Sequence, residues 1–559
     1  MLLSVVKPRH LPSMYTKNTS KAMRGNIISA DGFTIASTSK LYKAVVNTHY
    51  IDPLKKDLFI QLFSIYSGID AKNIKKALNK RKGVVVLSYT ISQKRAQYLK
   101  KLANELRRYK VFIPKFNSKN GTKSIHGLSI IESGESREYP YEKLLTPIIG
   151  YTHKIEDDGY TKIKGIKGLE KRFEGELEAR TDELSQGKRD VNSYIILNKE
   201  SFTKQQLDGL NIKLNIPVSL QIRIEKMLDS MKQEIEASQI MICVMDSKSG
   251  KVISLASSNR YAPKNIKKSD YPSLNAAMIE YSFEPGSVIK SLTFALLLDK
   301  ERVNPYDLVN GHNGRYKIGK KTITDEHKFD WLSAENVIVH SSNVGIAQLA
   351  QKLSGVEFNE GLKKFGLGSA STPDLIYEKV GYVPSSIRLK NEIYKATSSY
   401  GYGIHANLMQ LIRAYSIFNN SGKITTPQII DSFIDEFGRE IKIPQHEQRQ
   451  IIKATTAQKM KRILVKTVNK GTGVKAITQG LEIGGKTGTA HKVENGRYVK
   501  KYNTAFLGFA NDKTRKYTIG VIVDEPNKSQ FASQTAVPVF KNAVDILVTE
   551  GFLKPNVIQ

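Results

Sequence analysis

In the second half of this chain, strand-forming sequence stands at both ends with helix-forming sequence between. That spacing restricts the possible folds more than any other feature. "QIMICVMDSKSGKVISLASS" (239–258) reads as strand, Ser-Gly turn, strand, a hairpin. Just before it, "IPVSLQIRIEKMLDSMKQEIEAS" places Leu220, Ile224, Met227, Leu228, Met231 and Ile235 on one helical stripe. Helical patterns then fill the middle, and strands return only in "NTAFLGFA" and "KYTIGVIVDEP", followed by the helix "AVPVFKNAVDILVTEG". The economical solution is an α+β domain whose two ends share one antiparallel sheet with helices on both faces.

At 559 residues the chain exceeds one compact core, so more than one domain is expected. Upstream of about Leu214 the texture is polar, with short apolar strands such as "GVVVLSYTI" (83–91) among basic runs. "KNIKKALNKRKG" (72–83) reads as a solvated helix and its stop. The expected division is therefore 1–213 as a mostly β N-terminal domain and 214–559 as the α+β domain. The formal net charge of +33 fits an anionic polymer or membrane surface as partner, and equally a lysine-rich solvated surface. Aromatics do not alternate with basic residues in a reader motif, so no nucleic-acid partner is expected.

A single cysteine, Cys243, excludes an internal disulfide and a cysteine metal cluster, and its setting reads as a buried strand. The histidines are scattered and "HEQRQ" (446–450) lacks the second histidine of a zinc helix, so no metal or other cofactor is expected. No run approaches the roughly 20 apolar residues of a membrane span, which leads to the expectation of a soluble chain or one lacking an anchor.

One short stretch has two readings. "GLEIGGKT" (480–487) satisfies G-x-x-x-x-G-K-[ST], a phosphate-cradling loop, and "VIVDE" (521–525) resembles its acidic companion. A phosphate loop needs a helix starting at its Lys-Thr, so that backbone N–H groups face the anion. Here Gly488 follows, then two extended segments around Asn495-Gly496, a hairpin signature. The other reading is the Lys-Thr-Gly strand of a serine acyltransferase, which also requires Ser-x-x-Lys and Ser-x-Asn. Ser-x-x-Lys starts at Ser4, Ser37, Ser185, Ser201 and Ser287, but only at Ser287 does Pro-Gly open a strongly apolar helix. Ser287 and Lys290 then share a helix face, with Ser287 at its N-terminus. Ser-x-Asn occurs at Ser341–Asn343 and also at Ser257.

"EPGSVIK" (284–290), "HSSNVGIAQLA" (340–350), "GYGIHANLMQLIRAYSIFNNSG" (401–422) and "GGKTGTAHKVENGRYVKKYNTAFLGFA" (484–510) together resemble the penicillin-binding transpeptidases, in that family's order. The resemblance covers roughly 220–559. Looser traces upstream, "RGNIISADG" (24–32) and "GIKGLEKRF" (165–173), look like the non-catalytic pedestal of the monofunctional, class B members; the first lacks an arginine of the usual form. "SSN" and "GYGIHANLMQLIRAY" look closest to the division-type penicillin-binding protein 3, since the elongation type commonly has Asp where Ser342 stands.

The resemblance implies a peptidoglycan D,D-transpeptidase acting through an acyl-serine. Ser287 would be the nucleophile and Lys290 its closest candidate base. Ser341 would relay a proton, Asn343 would hold the substrate amide, and Lys486 would be a second cation lowering the pKa of Lys290. Thr487, Gly488 and Thr489 would bind substrate along a strand edge, with Gly488 keeping that edge bare. Backbone N–H groups of Ser287 and Thr489 would form an oxyanion hole. "GTG" (471–473) is expected to be a helix stop with no direct chemistry. Implied partners are stem peptides and the lipid-linked precursor, β-lactams covalently on Ser287, a glycan polymerase and division-complex membrane proteins. The implied location is the periplasmic face of a bacterial inner membrane, and the missing anchor leads to the expectation of a truncated form. The alternatives are a D,D-carboxypeptidase or β-lactamase, and a catalytically idle β-lactam-binding wall sensor.

Overall fold

The computed structural model describes residues 14–117, 122–157, 159–188, 190 and 195–556. In the C-terminal half, five strands form one antiparallel sheet in the order Val252–Ser257, Gln239–Asp246, Lys516–Asp524, Arg497–Asn511, Glu482–Glu494. The two ends of the half meet in the middle of this sheet, where Gln239–Asp246 pairs with Lys516–Asp524.

The strand Gln239–Asp246 is apolar on both faces, and each face has its own core. Ile240, Ile242 and Val244 pack with the helices Val218–Ile235 and Ala536–Thr549. Met241, Cys243 and Met245 pack toward Ile289–Asp299 and Leu408–Asn419 on the other side. Alternate side chains of a strand point to opposite faces, so a continuous apolar run must be covered twice. The stripe on Val218–Ile235 faces the sheet as expected, with Leu220, Ile224, Leu228, Met231 and Ile235 buried and Met227 at its flank. Asn495 and Gly496, with φ of 51° and 75°, close the hairpin between the last two sheet-edge strands.

The N-terminal region centres on a nine-stranded sheet. Three helices, Lys56–Ser67, Ala71–Lys80 and Gln93–Arg108, cover part of it around Phe59, Phe63 and Leu99. The helix expected near 72–83 spans Ala71–Lys80 and buries only Ile74 and Leu78, leaving its lysines in water. The two upstream traces meet here. Arg24 Nε donates to Glu170 Oε2 at 3.0 Å and Arg137 Nε to Glu170 Oε1 at 2.7 Å, all three side chains being buried.

Asn211–Leu214, at the expected boundary, is itself a strand of this sheet. It runs parallel to Ile27–Ile28 on one side and antiparallel to Ile430–Ile434 on the other. A segment from the C-terminal half is thus hydrogen-bonded into the N-terminal sheet. Among the described residues no helix is long and apolar enough to cross a membrane.

Candidate active site

Pro285 and Gly286 open a single 3-10 turn, Gly286–Val288, that runs directly into the helix Ile289–Asp299. Ser287 therefore sits in the first turn, half-buried, with Lys290 following on the same face. Gly286 has φ of 63°, and a Cβ there would lie 2.7 Å from the carbonyl oxygen of Thr489. A Cβ on Gly488 would lie 2.9 Å from both Pro285 O and Val288 Cγ1. The two glycines let the serine turn nest against the edge strand. Gly488 thus acts on the face of the sheet, not by baring its edge. Strand side chains project to the faces, which is why the expected role does not hold. The Tyr415 hydroxyl, donating to Val288 O at 2.6 Å, ties the turn down from the helix Leu408–Asn419.

Ser341 lies in the break between the helices Ala334–Val339 and Asn343–Ala350, with φ of 60°. A non-glycine residue in this region costs about 1–2 kcal/mol, strain that concentrates at functional positions. Ser342 caps the second helix, its Oγ accepting from Gly345 N at 2.8 Å. Asp325 supplies the carboxylate at this helix start. Its Oδ2 accepts from Ser342 Oγ at 2.5 Å, and its Oδ1 from the backbone N–H groups of Asn343 at 2.5 Å and Val344 at 3.0 Å. Asn343 Nδ2 donates to Thr324 O at 3.0 Å.

Lys486 and Thr487 sit mid-strand in Glu482–Glu494, with no helix following, which removes the phosphate-loop reading. Both Lys290 and Lys486 are fully buried, and their amines converge on Ser341. Lys290 Nζ donates to Ser341 O at 2.5 Å and to Ser341 Oγ at 3.2 Å; Lys486 Nζ donates to Ser341 Oγ at 2.8 Å. Lys486 also reaches Thr487 O at 3.2 Å and Thr487 Oγ1 at 3.3 Å. Burial lowers the Lys290 amine to about 7, while Asp325 and Glu326 pull it back upward. Burial also pushes Lys486 well down, and the charge of Lys290 pushes it further. Among the described residues Ser287 Oγ has no hydrogen-bonded partner; it opens into a cleft of about 270 Å³.

That cleft is also lined by Ser341, Asn343, Thr487 and Thr489. Lys290 and Lys486 form its floor through Ser341, and Gly488 shapes it from behind. Every sequence-expected site residue is therefore at or directly beneath one cleft. A larger cavity of about 850 Å³ opens in the N-terminal region but holds none of these residues. Two contributors escaped the sequence reading. Asp325 arrives from a separate hairpin, and Thr472, in the "GTG" segment assigned no chemistry, shares a hydrogen bond with Thr487 at 2.7 Å between hydroxyls. Thr472 lies just past the end of the helix Ala454–Lys470, whose stop signal masked it. Among the described residues no cluster of histidine, cysteine or carboxylate side chains could hold a metal ion.

Residues 240–545 match the family described as the penicillin binding protein transpeptidase domain, and residues 19–214 match the penicillin-binding protein dimerisation domain. The chain is 31% identical over 306 residues to a probable peptidoglycan D,D-transpeptidase PenA of Neisseria flavescens, covering 54% of this chain and 73% of that one. It is 28% identical over 433 residues to the peptidoglycan D,D-transpeptidase FtsI of Buchnera aphidicola subsp. Schizaphis graminum, covering 77% and 72%. Penicillin binding protein 2X from Streptococcus thermophilus shares the fold, with a TM-score of 0.77 at 21% identity over 97% of this chain and 83% of that one. With the three motifs gathered at one cleft and the family match spanning more than half its length, this chain belongs to the penicillin-binding protein transpeptidases, in the two-domain, class B form.

Proposed function

We propose that this chain is a peptidoglycan D,D-transpeptidase of the division type, which cross-links stem peptides through an acyl-serine and is acylated by β-lactams at the same residue. The observation that carries the reading is the convergence of two buried lysines on one serine beside an unpartnered serine hydroxyl.

An ordinary lysine, with a pKa of about 10.4, is neutral in only about one molecule in a few thousand at pH 7. At about 7, roughly half of Lys290 is neutral. A neutral amine has two N–H donors and one lone pair. Ser341 O and Oγ take both donors, which leaves the lone pair for the Ser287 hydroxyl proton. Lys486 Nζ reaches Ser341 Oγ, Thr487 O and Thr487 Oγ1, which hold it beneath the same serine. Ser341 Oγ receives both lysines and so turns its own hydrogen outward, toward a leaving amine.

Ser287 then attacks the carbonyl of a terminal D-alanyl-D-alanine bond. The C–N bond breaks, and D-alanine leaves with the proton relayed through Ser341. Backbone N–H groups of Ser287 and Thr489 are assigned the oxyanion, a contribution of about 3 kcal/mol where such holes have been dissected. Thr487 and Thr489 are assigned the substrate carboxylate, and the side-chain carbonyl of Asn343 the substrate amide. The donor peptide lies beside the edge strand Glu482–Glu494 as an added strand. We assign 214–559 to this chemistry and 1–213 to contacts with a glycan polymerase and division-complex membrane proteins, on the periplasmic face of an inner membrane.

Product analysis tests this. With a stem-peptide thioester as donor and a D-amino acid as acceptor, the chain is expected to yield the amide product, and Ser287→Ala to yield none. Hydrolysis alone, at any acceptor concentration, would replace transpeptidation with a carboxypeptidase reading.

A further inference from the structure

The cleft is lined by two unlike sets of residues. One is Thr487, Thr489 and His491 of the edge strand, already allotted to the donor peptide. The lining also includes Asp325, Glu326, His327 and Phe329, a segment tied through Asp325 to the start of the helix Asn343–Ala350, and His340. Beside this second set a second substrate has room, because an extended donor occupies the edge strand.

That second substrate is an amine, which arrives mostly as an ammonium. A cation approaching this cleft, in a protein of net charge +33, is favoured where a carboxylate faces it. Among the described residues, only two carboxylates line the cleft, those of Asp325 and Glu326. The oxygens of Asp325 are consumed by Ser342 Oγ and the N–H groups of Asn343 and Val344. Glu326 is exposed to the cleft and, among the described residues, has no hydrogen-bonded or ion-paired partner. Its backbone is nonetheless well placed, because the preceding residue is pinned by those three bonds. It stands close enough to the floor that its charge acts on both Lys290 and Lys486. The neighbouring rings suit a cation too. Phe329 lies 5.3 Å from the imidazole of His340 at a tilt of 36°, and burial together with His327 and Lys466 holds that imidazole below its usual pKa.

We propose that Glu326 is the acceptor-binding residue, holding the ammonium of the incoming stem peptide against the 325–329 segment. The inference rests on the transpeptidase reading above. The ammonium gives one proton to solvent; the amine lone pair then forms the new C–N bond with the acyl carbon. The ester bond to Ser287 Oγ breaks, and the second proton from the amine ends on that oxygen, regenerating the serine.

The test separates acylation from its resolution. The full chain is acylated with a stem-peptide thioester, and D-alaninamide is supplied as acceptor, so that the only charge offered is the ammonium. Amide and hydrolysis products are quantified over a range of acceptor concentrations, and acylation by a fluorescent penicillin is timed separately. Glu326→Gln is expected to raise the half-saturating acceptor concentration roughly fivefold, the size of one partly solvated ion pair. Glu326→Lys is expected to raise it further and Glu326→Asp to restore it, with hydrolysis in the absence of acceptor continuing. An unchanged acceptor dependence in Glu326→Gln and Glu326→Lys would overturn the proposal. So would a fall in penicillin acylation that accounts for the whole effect, since Glu326 would then act only through the lysine pair. Failure of the unsubstituted chain to be acylated by penicillin is a different result, and it would remove the transpeptidase reading itself.

Discussion

Two amines buried within reach of one hydroxyl oppose folding and serve chemistry. Lys290 has its pKa lowered from 10.5 to about 7, so between those values the unfolded chain binds more protons than the folded one. Stability from this group therefore rises with pH across that window, and the full penalty is present below about 7. Lys290→Met, similar in length and apolar, is expected to raise the melting temperature, most below pH 7 and least near pH 10. The same variant should lose at least about 100-fold in penicillin acylation, the contribution of a general base. In the unsubstituted chain the acylation rate should fall as pH drops through about 7, as the base becomes protonated. A flat profile from pH 5 to 9 would remove Lys290 from that role. At this scale the sequence was highly legible. Ser287, Lys290, Ser341, Asn343, Lys486, Thr487 and Thr489 are announced by local patterns. Asp325 and Thr472 were not, because each enters the site only through tertiary contact, one as a helix cap and one as a hydroxyl partner.

Elements were legible where hydrophobic period was strong and obscure where glycine carried the structure. The helix Val218–Ile235 and the hairpin from Gln239 stand where their patterns placed them. The edge strand Glu482–Glu494 begins with a stretch of weak β character, "EIGG", because its glycines yield space to a neighbouring strand. A Cβ on Gly484 would lie 2.3 Å from the Phe509 ring, and one on Gly485 2.5 Å from the Phe506 ring. Low propensity here is packing, not disorder. Gly488 extends the same logic to the active site, and Gly488→Val tests it. The added side chain must push back Pro285 and Val288, so acylation is expected to fall at least about tenfold, the size of a small misplacement. Circular dichroism should stay native. Unchanged acylation would mean that the serine turn does not depend on this approach.

Across the whole molecule, the sequence shows a change of texture near residue 214 but not how the segments on either side of it join. Pairing of Asn211–Leu214 with Ile430–Ile434 links segments too far apart for any sequence window. The buried Arg24–Glu170–Arg137 cluster likewise unites two short upstream traces with a strand that carried no signal. Glu170→Gln would leave the buried Arg137 guanidinium without its carboxylate and Arg24 with Glu174 alone, at a cost of about 3–5 kcal/mol. Urea denaturation should show that loss, with penicillin acylation of the folded protein retained because none of the three residues lines the cleft. Equal stability would make the cluster incidental.

The central claim, that Ser287 is the hydroxyl activated by the lysine pair, is tested most directly by peptide mass mapping after brief exposure to benzylpenicillin. We expect a single penicilloyl group, on the peptide carrying Ser287, and none in Ser287→Ala. An adduct on any other side chain, or one persisting in that variant, would contradict it.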